Sequence, residues 1–439
     1  MLEKPPDRPL KNRILYPQYT NPAGYPPLEH SSRILAERGW QVLFLGTGAH
    51  GANVLEFPPH PNVTVRRWTF RAPGLWQKLH FLAFNDWVLI TALRWKPKWI
   101  YASDLLACPV AFVLKKLGFR VLYHEHDSPS PDVGHRKSDV GLRPSFRLGE
   151  LYSSERGAYP PAWKPYGLGA APEGGQPPAR SGLRPGGSSA FRRFLLWTRR
   201  KLARCADLCV LPNEKRVELF RNQTATPRPV ICVWNCPTRD EAKRPNCAEE
   251  RFILHYHGNI SADLLPEEIL EALKQTPGVY LRAIGYTTKG NEEYPGRFKR
   301  RADELGVLER VEVLGPRNRS ELLALARLAN VGWAVMPTHA YSVNFKAMTG
   351  ASNKAFDYVS CGLAILVSDL SDWRQMFVDS GYGRVCNANE PESIALALRW
   401  FKEHREETRA MGELGRHRIL TEWNYEMQFA LVIERLEHP

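Results

Sequence analysis

One short run, residues 351–369 (ASNKAFDYVSCGLAILVSD), holds residue types that bind an anionic, hydroxyl-bearing ligand. Ser352 or Asn353 can cap a helix, because a side-chain oxygen there accepts one of the free first-turn amides. The same helix start carries unpaired N–H groups and a partial positive charge, which together hold phosphate. Lys354 adds a full charge. Asp357 lies three residues further on, one turn deeper on the same helical face, and its two carboxylate oxygens can accept both hydroxyls of a ribose. The spacing suits a ribose–diphosphate. On spacing alone a plain cap ranks ahead, since Asn at a cap and Asp in a first turn are favourable in any helix. Context reverses that order: Gly362 ends the helix, and a short apolar strand then terminates in Ser368-Asp369.

A second constellation is His124-Glu125-His126-Asp127, directly after the strand-like Arg120–Tyr123. Alternation along an extended chain puts both histidines on one side and both acids on the other. His-x-His with a carboxylate is also a metal pattern, but no third His or Cys stands near it in the sequence. A packed, hydrogen-bonded histidine is the plainer alternative. Asp104, at the end of strand Trp99–Ala102, and the Asn21–Gly24 turn face the same expected cleft. Gly24 either lets the backbone approach an acceptor or phosphate or is an ordinary turn glycine.

The elements that must position these residues alternate in type. Strands are expected at 13–16, 40–45, 63–68, 99–102, 120–123, 208–211 and 230–233. After the polar stretch 234–250 they resume at 252–257, 279–284, 311–314, 331–336 and 364–368. Helical segments lie between them, among them 28–38, 75–93, 105–117, 214–221, 296–305 and 353–360. Short apolar strands alternating with helices argue for parallel sheets covered on both faces. The expected fold is α/β: two successive doubly wound, Rossmann-like domains facing a cleft, with ligands where strand ends meet it. Residues 1–240 form the first domain and 241–420 the second. The segment 421–439 is a C-terminal helix packing back on the first domain. Within 128–190, 21 of 63 positions are Pro or Gly, which marks a flexible insertion.

The run 351–369 resembles the SNK-x-FEY-x-x-x-G-x-P-V-x-x-SD motif of GT-B fold glycosyltransferases, in the retaining class called glycosyltransferase family four. Asp357 stands where Glu is usual, one methylene shorter, and Ala364 stands where Pro is usual. FILHYHGNIS (252–261) is similar to the strand and Gly loop that open this family's donor domain. VEVLGP (311–316) and VGWAVMP (331–337) look like the strands flanking its base pocket. LEHSSRILAERGWQVLFL and ADLCVLPNEKRVELF fit its first helix–strand unit and its last.

The resemblance implies retaining transfer of a sugar from a nucleotide-diphosphate donor to a hydroxyl acceptor, without an essential metal or other cofactor. By position, Lys354 and the helix start with Ser352 and Asn353 hold the phosphates, and Asp357 holds the ribose. Gly258, followed by Asn259, lets the backbone approach the diphosphate, while Gly285 and Gly315 border the base and sugar. Asn344 is a further donor-side candidate. The family places a His at the end of the strand before His124; His126 or His124 matches it, and the family's pattern favours His126. Relatives carry a basic residue in or after the first donor-domain loop, where this chain has Asn259 and Leu264. Lys289, Arg317 and Arg319 are the candidates to replace it. Thr349 stands eight residues before Asp357, where the family's paired acidic motif has its first carboxylate. These two departures frame a rival reading, a catalytically degenerate homologue acting as a binding or scaffold protein. A sugar-nucleotide epimerase would need groups placed for proton abstraction, and no such set stands out.

Composition narrows the classes further. The chain has 439 residues, 43% hydrophobic and 24% charged, which excludes a disordered or collagen-like protein. No run approaches the roughly 18 apolar residues of a membrane span. The start lacks a secretory h-region, so a cytoplasmic protein is expected. The net charge of +14 divides unevenly: residues 1–240 carry 35 basic and 18 acidic side chains, and the remainder 25 and 28. A basic first half points to an anionic partner. Phospholipid or a lipid-linked phosphate fits better than nucleic acid, since no zinc-finger or basic-zipper spacing is present. The basic helix 191–204 mixes Phe194, Leu195, Trp197 and Leu202 with arginines. It reads either as an interfacial helix on an anionic membrane or as an ordinary solvated face. The eight cysteines lack zinc-knuckle spacing and are expected to be reduced and mostly buried.

Overall fold

The computed structural model describes residues 12–129, 190–246, 251–337 and 343–438. The expected insertion, 128–190, lies almost wholly outside them. Two parallel sheets form the frame. The first contains β1 (Arg13–Gln18), β2 (Gln41–Thr47), β3 (Val63–Trp68), β4 (Trp99–Ser103), β5 (Arg120–His124), β6 (Leu208–Leu211) and β7 (Val230–Cys232). Its strand order is β3-β2-β1-β4-β5-β6-β7. The second contains β8 (Phe252–Asn259), β9 (Val279–Tyr286), β10 (Val311–Leu314), β11 (Val331–Ala334), β12 (Ala364–Ser368) and β13 (Gly383–Cys386), in the order β10-β9-β8-β11-β12-β13. In both sheets the order reverses beside the first strand of the set. Such a switch point opens a crevice at the carboxyl ends of the strands.

Helices of the first domain are α1 (Pro26–Glu37), α2 (Leu75–Trp95), α3 (Asp104–Lys116), α4 (Ala190–Ala203) and α5 (Glu214–Thr224). The second has α6 (Glu268–Lys274), α7 (Tyr294–Glu304), α8 (Arg319–Ala326), α9 (Val343–Lys346), α10 (Asn353–Ser360), α11 (Ser371–Trp373), α12 (Pro391–Glu403) and α13 (Arg405–Thr421). The chain closes with α14 (Tyr425–Gln428) and α15 (Ala430–Glu437).

Alternate side chains of the first sheet feed two cores. Leu15, Leu43, Ile100 and Val121 pack under α2, α3 and α4. Tyr16, Phe44, Trp99 and Tyr101 face the other way and meet Tyr425, Phe429, Val432 and Leu436 of the last two helices. The Trp99 indole donates to the Leu436 carbonyl at 3.1 Å, and Arg38 pairs with Glu437 at 2.9 Å. The C-terminal segment therefore returns from the second sheet to the first.

Several elements depart from their expected bounds, and two of the differences bear on close backbone packing. β8 and β9 each run two residues longer, through Gly258 opposite Gly285. A Cβ on Gly285 would lie 1.8 Å from the Gly258 carbonyl oxygen, so only glycine permits this pairing. β13 is an additional strand. Its Gly-Arg opening hides a strand pattern, yet a Cβ on Gly383 would lie 1.9 Å from the Ile365 carbonyl oxygen.

Candidate functional site

The strand ends of the two sheets enclose two adjoining cavities. One, of about 260 Å³, lies in the second domain against α10 and is lined by Gly258, Gly285, Arg319, Ser352, Lys354 and Asp357. The other, of about 470 Å³, extends into the first domain past Tyr25, His126, Arg216 and Asn235. Gly24, Tyr286, Met348, Ala351 and Asn353 line both, so the two form one continuous cleft.

Ser352 is the N-cap of α10 in extended conformation, φ −84° and ψ 116°. Its hydroxyl is buried and has no hydrogen-bond partner among the described residues. Asn235 holds the preceding turn, donating to the Ala351 carbonyl at 2.7 Å. Lys354 follows in the first turn, with Nζ 5.6 Å from the Tyr256 ring centre. Burial lowers its pKa to about 8, against the opposing pull of Asp357. Gly258 makes room for it: φ is +119°, and a Cβ there would lie 2.9 Å from Lys354 Cε. A helix start, a free hydroxyl and a desolvated ammonium thus converge on one cavity, and each is a group that can interact with an anion.

Asp357, one turn deeper, is not open to solvent. Its Oδ1 accepts from Arg319 Nη2 at 2.7 Å, and its Oδ2 from Arg319 Nη1 at 3.2 Å. His257 Nε2 lies 3.2 Å from Oδ2. Burial alone would raise the carboxyl pKa, but Arg319 and His257 outweigh it and hold Asp357 below the usual range. Arg319 also forks onto Glu241, at 2.5 and 2.9 Å. His30 Nε2 of α1 approaches Glu241 at 3.0 Å, out of line for a hydrogen bond. Breaking such a buried charge set by removing one partner costs about 3–5 kcal/mol.

On the first-domain side, the four residues after Tyr123 separate by role. His126 lines the larger cavity, and neither ring nitrogen has a partner among the described residues. Burial, helped by Arg216, depresses its pKa to about 3, so the ring is neutral. His124 lies beneath it, ring centroids 3.8 Å apart, with Nδ1 2.5 Å from the Tyr101 hydroxyl. Glu125 turns the other way into Arg199, at 2.5 and 2.7 Å, and accepts from the Tyr123 hydroxyl at 2.7 Å. Asp127 is exposed, 3.8 Å from Arg216.

Residues 28–236 match the family described as a glycosyl transferase 4-like domain, and residues 238–418 match glycosyl transferases group 1. The chain belongs to the family-four type of GT-B glycosyltransferases. The solved structures it resembles include sucrose-phosphate synthase from Thermosynechococcus elongatus, with TM-score 0.64, 15% identity and coverage of 97% of this chain and 98% of that one. Anabaena HepE, solved in complex with UDP and glucose, gives TM-score 0.65 at 13% identity, covering 98% of this chain and 100% of that one. WaaG, a glycosyltransferase involved in lipopolysaccharide biosynthesis, gives 0.63 at 13%, covering 97% and 100%. These likenesses show the fold. The D-inositol 3-phosphate glycosyltransferase of Mycolicibacterium gilvum (strain PYR-GCK) is 24% identical over 146 residues, 33% of this chain and 31% of that relative. The match thus spans about a third of that protein's length.

In this glycosyltransferase the residues singled out by sequence divide into two groups. Gly24, His126, Gly258, Asn259, Gly285, Ser352, Asn353, Lys354 and Asp357 line the cleft. His124, Asp104, Gly315 and Asn344 do not. Asp104 opens α3 at φ +63°, and its Oδ1 accepts the amides of His126 at 2.8 Å and Asp127 at 3.4 Å. It holds the His126 turn and lines neither cavity. Gly315 stops one residue short of Pro316, which does line the smaller cavity. Asn344 bonds both backbone groups of Ser128, at 3.0 and 3.2 Å, bridging the domains.

Of the three basic candidates, Arg319 is committed to two carboxylates. Arg317 lines the smaller cavity, paired with Glu321 at 2.9 Å, and Lys289 lines the larger. Thr349 donates to Asp372 at 2.7 Å. Among the described residues no group of three or more His, Cys, Asp or Glu is placed to hold a metal.

Arg216 carries no motif that marks it in the sequence. It is 1% exposed and donates to the carbonyls of His126 at 2.6 Å, Ala347 at 2.9 Å and Asn344 at 3.0 Å. Its position in the first turn after β6 was the available signal, since such turns face the crevice of a doubly wound sheet.

Proposed function

We propose that this glycosyltransferase moves a sugar from a nucleotide-diphosphate donor to a hydroxyl acceptor, with retention and without an essential metal. The observation that carries this reading is the convergence of the unpartnered Ser352 hydroxyl, the buried Lys354 ammonium and Gly258 at the start of α10. The departing diphosphate would find its charge balanced there by fixed dipoles and one ammonium, the electrostatic work a metal does elsewhere. Neutral His126, which lines the adjoining cavity, would hydrogen-bond the transferred sugar. HepE, with UDP and UDP-glucose bound, supports a nucleotide-sugar donor.

The acceptor would be a glycan or a lipid-linked hydroxyl compound, a reading supported by the part WaaG takes in lipopolysaccharide biosynthesis. Contact with the inner face of an anionic membrane is part of the proposal. Besides Phe194 and Trp197 of α4, the outer face of α2 exposes Leu75, Trp76, Leu79, Leu82, Ile90 and Leu93. Leu75, Trp76, Leu79 and Leu82 beside Lys78 form an apolar patch that suits the headgroup boundary, and the exposed Asp86 separates it from Ile90 and Leu93. No helix among the described residues is long and apolar enough to cross a membrane.

The test is a thermal-shift screen of purified protein against UDP-, GDP-, ADP- and dTDP-sugars, with and without EDTA. Anything that binds only the native state raises its apparent stability. A selective, EDTA-insensitive shift is expected; no shift with any nucleotide sugar would overturn the reading.

A further inference from the structure

Asp357 is one methylene shorter than a glutamate, and the groups that hold it come from three separate elements. Arg319 opens α8, His257 lies on β8, and Glu241 belongs to the segment joining the two domains. The Arg319 guanidinium spans Asp357 and Glu241 with four contacts between 2.5 and 3.2 Å. Glu241 is itself fixed, because the Thr238 amide donates to its Oε2 at 3.0 Å.

Donor counting shows what remains for a ligand. A carboxylate offers about four lone-pair sites. Oδ1 of Asp357 takes one donor from Arg319, and Oδ2 takes Arg319 and His257. One acceptor site is left on a side chain that lines the cavity. Asp357 is therefore equipped to read a single ribose hydroxyl, not both as its spacing in the sequence had implied.

We infer that Arg319, anchored by Glu241, is a positioning residue that orients Asp357 to read one ribose hydroxyl and so sets selectivity for a nucleotide that carries that hydroxyl. The inference rests on the donor reading proposed above. Lysine keeps the charge but cannot fork across two carboxylates. Arg319→Lys should therefore leave diphosphate binding in place while releasing the orientation of Asp357. Glu241→Gln keeps the shape and removes half of the fork's anchoring.

The experiment measures dissociation constants by titration calorimetry for UDP, GDP and ADP and their 2′-deoxy and 3′-deoxy forms. Native protein, Arg319→Lys and Glu241→Gln are compared, with melting temperature followed in parallel. The native protein should prefer its ribonucleotide over one deoxy form by at least about tenfold, the value of one hydrogen bond to a charged group. In Arg319→Lys the ratio should fall to about threefold or less, with affinity for the deoxy form retained. A merely structural role would weaken both forms alike and leave the ratio unmoved.

An unmoved ratio in both variants overturns the inference. So does a native protein that binds a ribonucleotide and its deoxy forms equally. Should Arg319→Lys fail to fold, Glu241→Gln alone decides. If the native protein binds none of the three diphosphates, this inference fails, and the donor reading fails with it only when the dTDP-sugars of the thermal-shift screen give no shift either.

Discussion

Arg216 Nη1 donates to the carbonyl of His126 at 2.6 Å. The same guanidinium reaches the second domain at Ala347 and Asn344. One side chain thus fixes the turn carrying the cleft histidine and ties it to the loop before α10. Truncation in Arg216→Ala would leave several buried carbonyls without donors. The loss should be about 3 kcal/mol or more, read as a lower melting temperature, with turnover falling alongside it. Arg216→Lys should recover only part of this.

Lys354 has a second consequence. Its pKa is lowered to about 8 by burial in the unliganded protein. On the proposed donor role the protonated form would bind a diphosphate, and a bound anion raises the pKa, so binding would take up a proton above pH 8. Nucleotide affinity should therefore weaken as pH rises from about 8 towards 10, by up to tenfold per unit. Calorimetry between pH 7 and 9.5 checks this. Lys354→Ala should bind about 10–100-fold more weakly at pH 7 and lose that slope.

His126, held near pKa 3 by burial, does not change charge between pH 5 and 9. Turnover across that range should show no titration assignable to it. His126→Ala should lower kcat by about tenfold or more while nucleotide affinity stays within about twofold. A parallel loss of both would place His126 in the donor's ground-state binding instead.

The α2 patch makes the membrane proposal testable. Trp76 is 77% exposed and Leu75 70%, so replacing them removes little packing. Leu75→Glu combined with Trp76→Ser should abolish cosedimentation with vesicles rich in phosphatidylglycerol and leave the melting temperature within about 2 °C. Retained sedimentation would remove α2 from the contact.

Much of the fold follows from local pattern. The apolar runs at 99–103, 208–211 and 364–368 read as buried parallel strands because both faces of such a sheet are covered. The order Ser352, Asn353, Lys354, Asp357 is likewise a local matter, since helical geometry stacks residues three apart on one face. β13 escaped because Gly383 and Arg384 break the apolar signature, and only the close approach of Ile365 explains the glycine.

What tertiary structure decided is the company each charge keeps. Arg319 lies 38 residues before Asp357 and Glu241 78 residues before Arg319. No periodicity links residues so far apart; the strand order β10-β9-β8-β11-β12 brings their elements together. The same holds for His124 and His126, equivalent by alternation along the chain. Burial against Tyr101 claims the first, and the cleft is left to the second. By itself the sequence determined which groups can bind a phosphate and a ribose, because that depends on residue type and helical spacing. Which lone pairs and protons remain free to do so depended on long-range packing, because a buried polar group takes the nearest partner the fold provides.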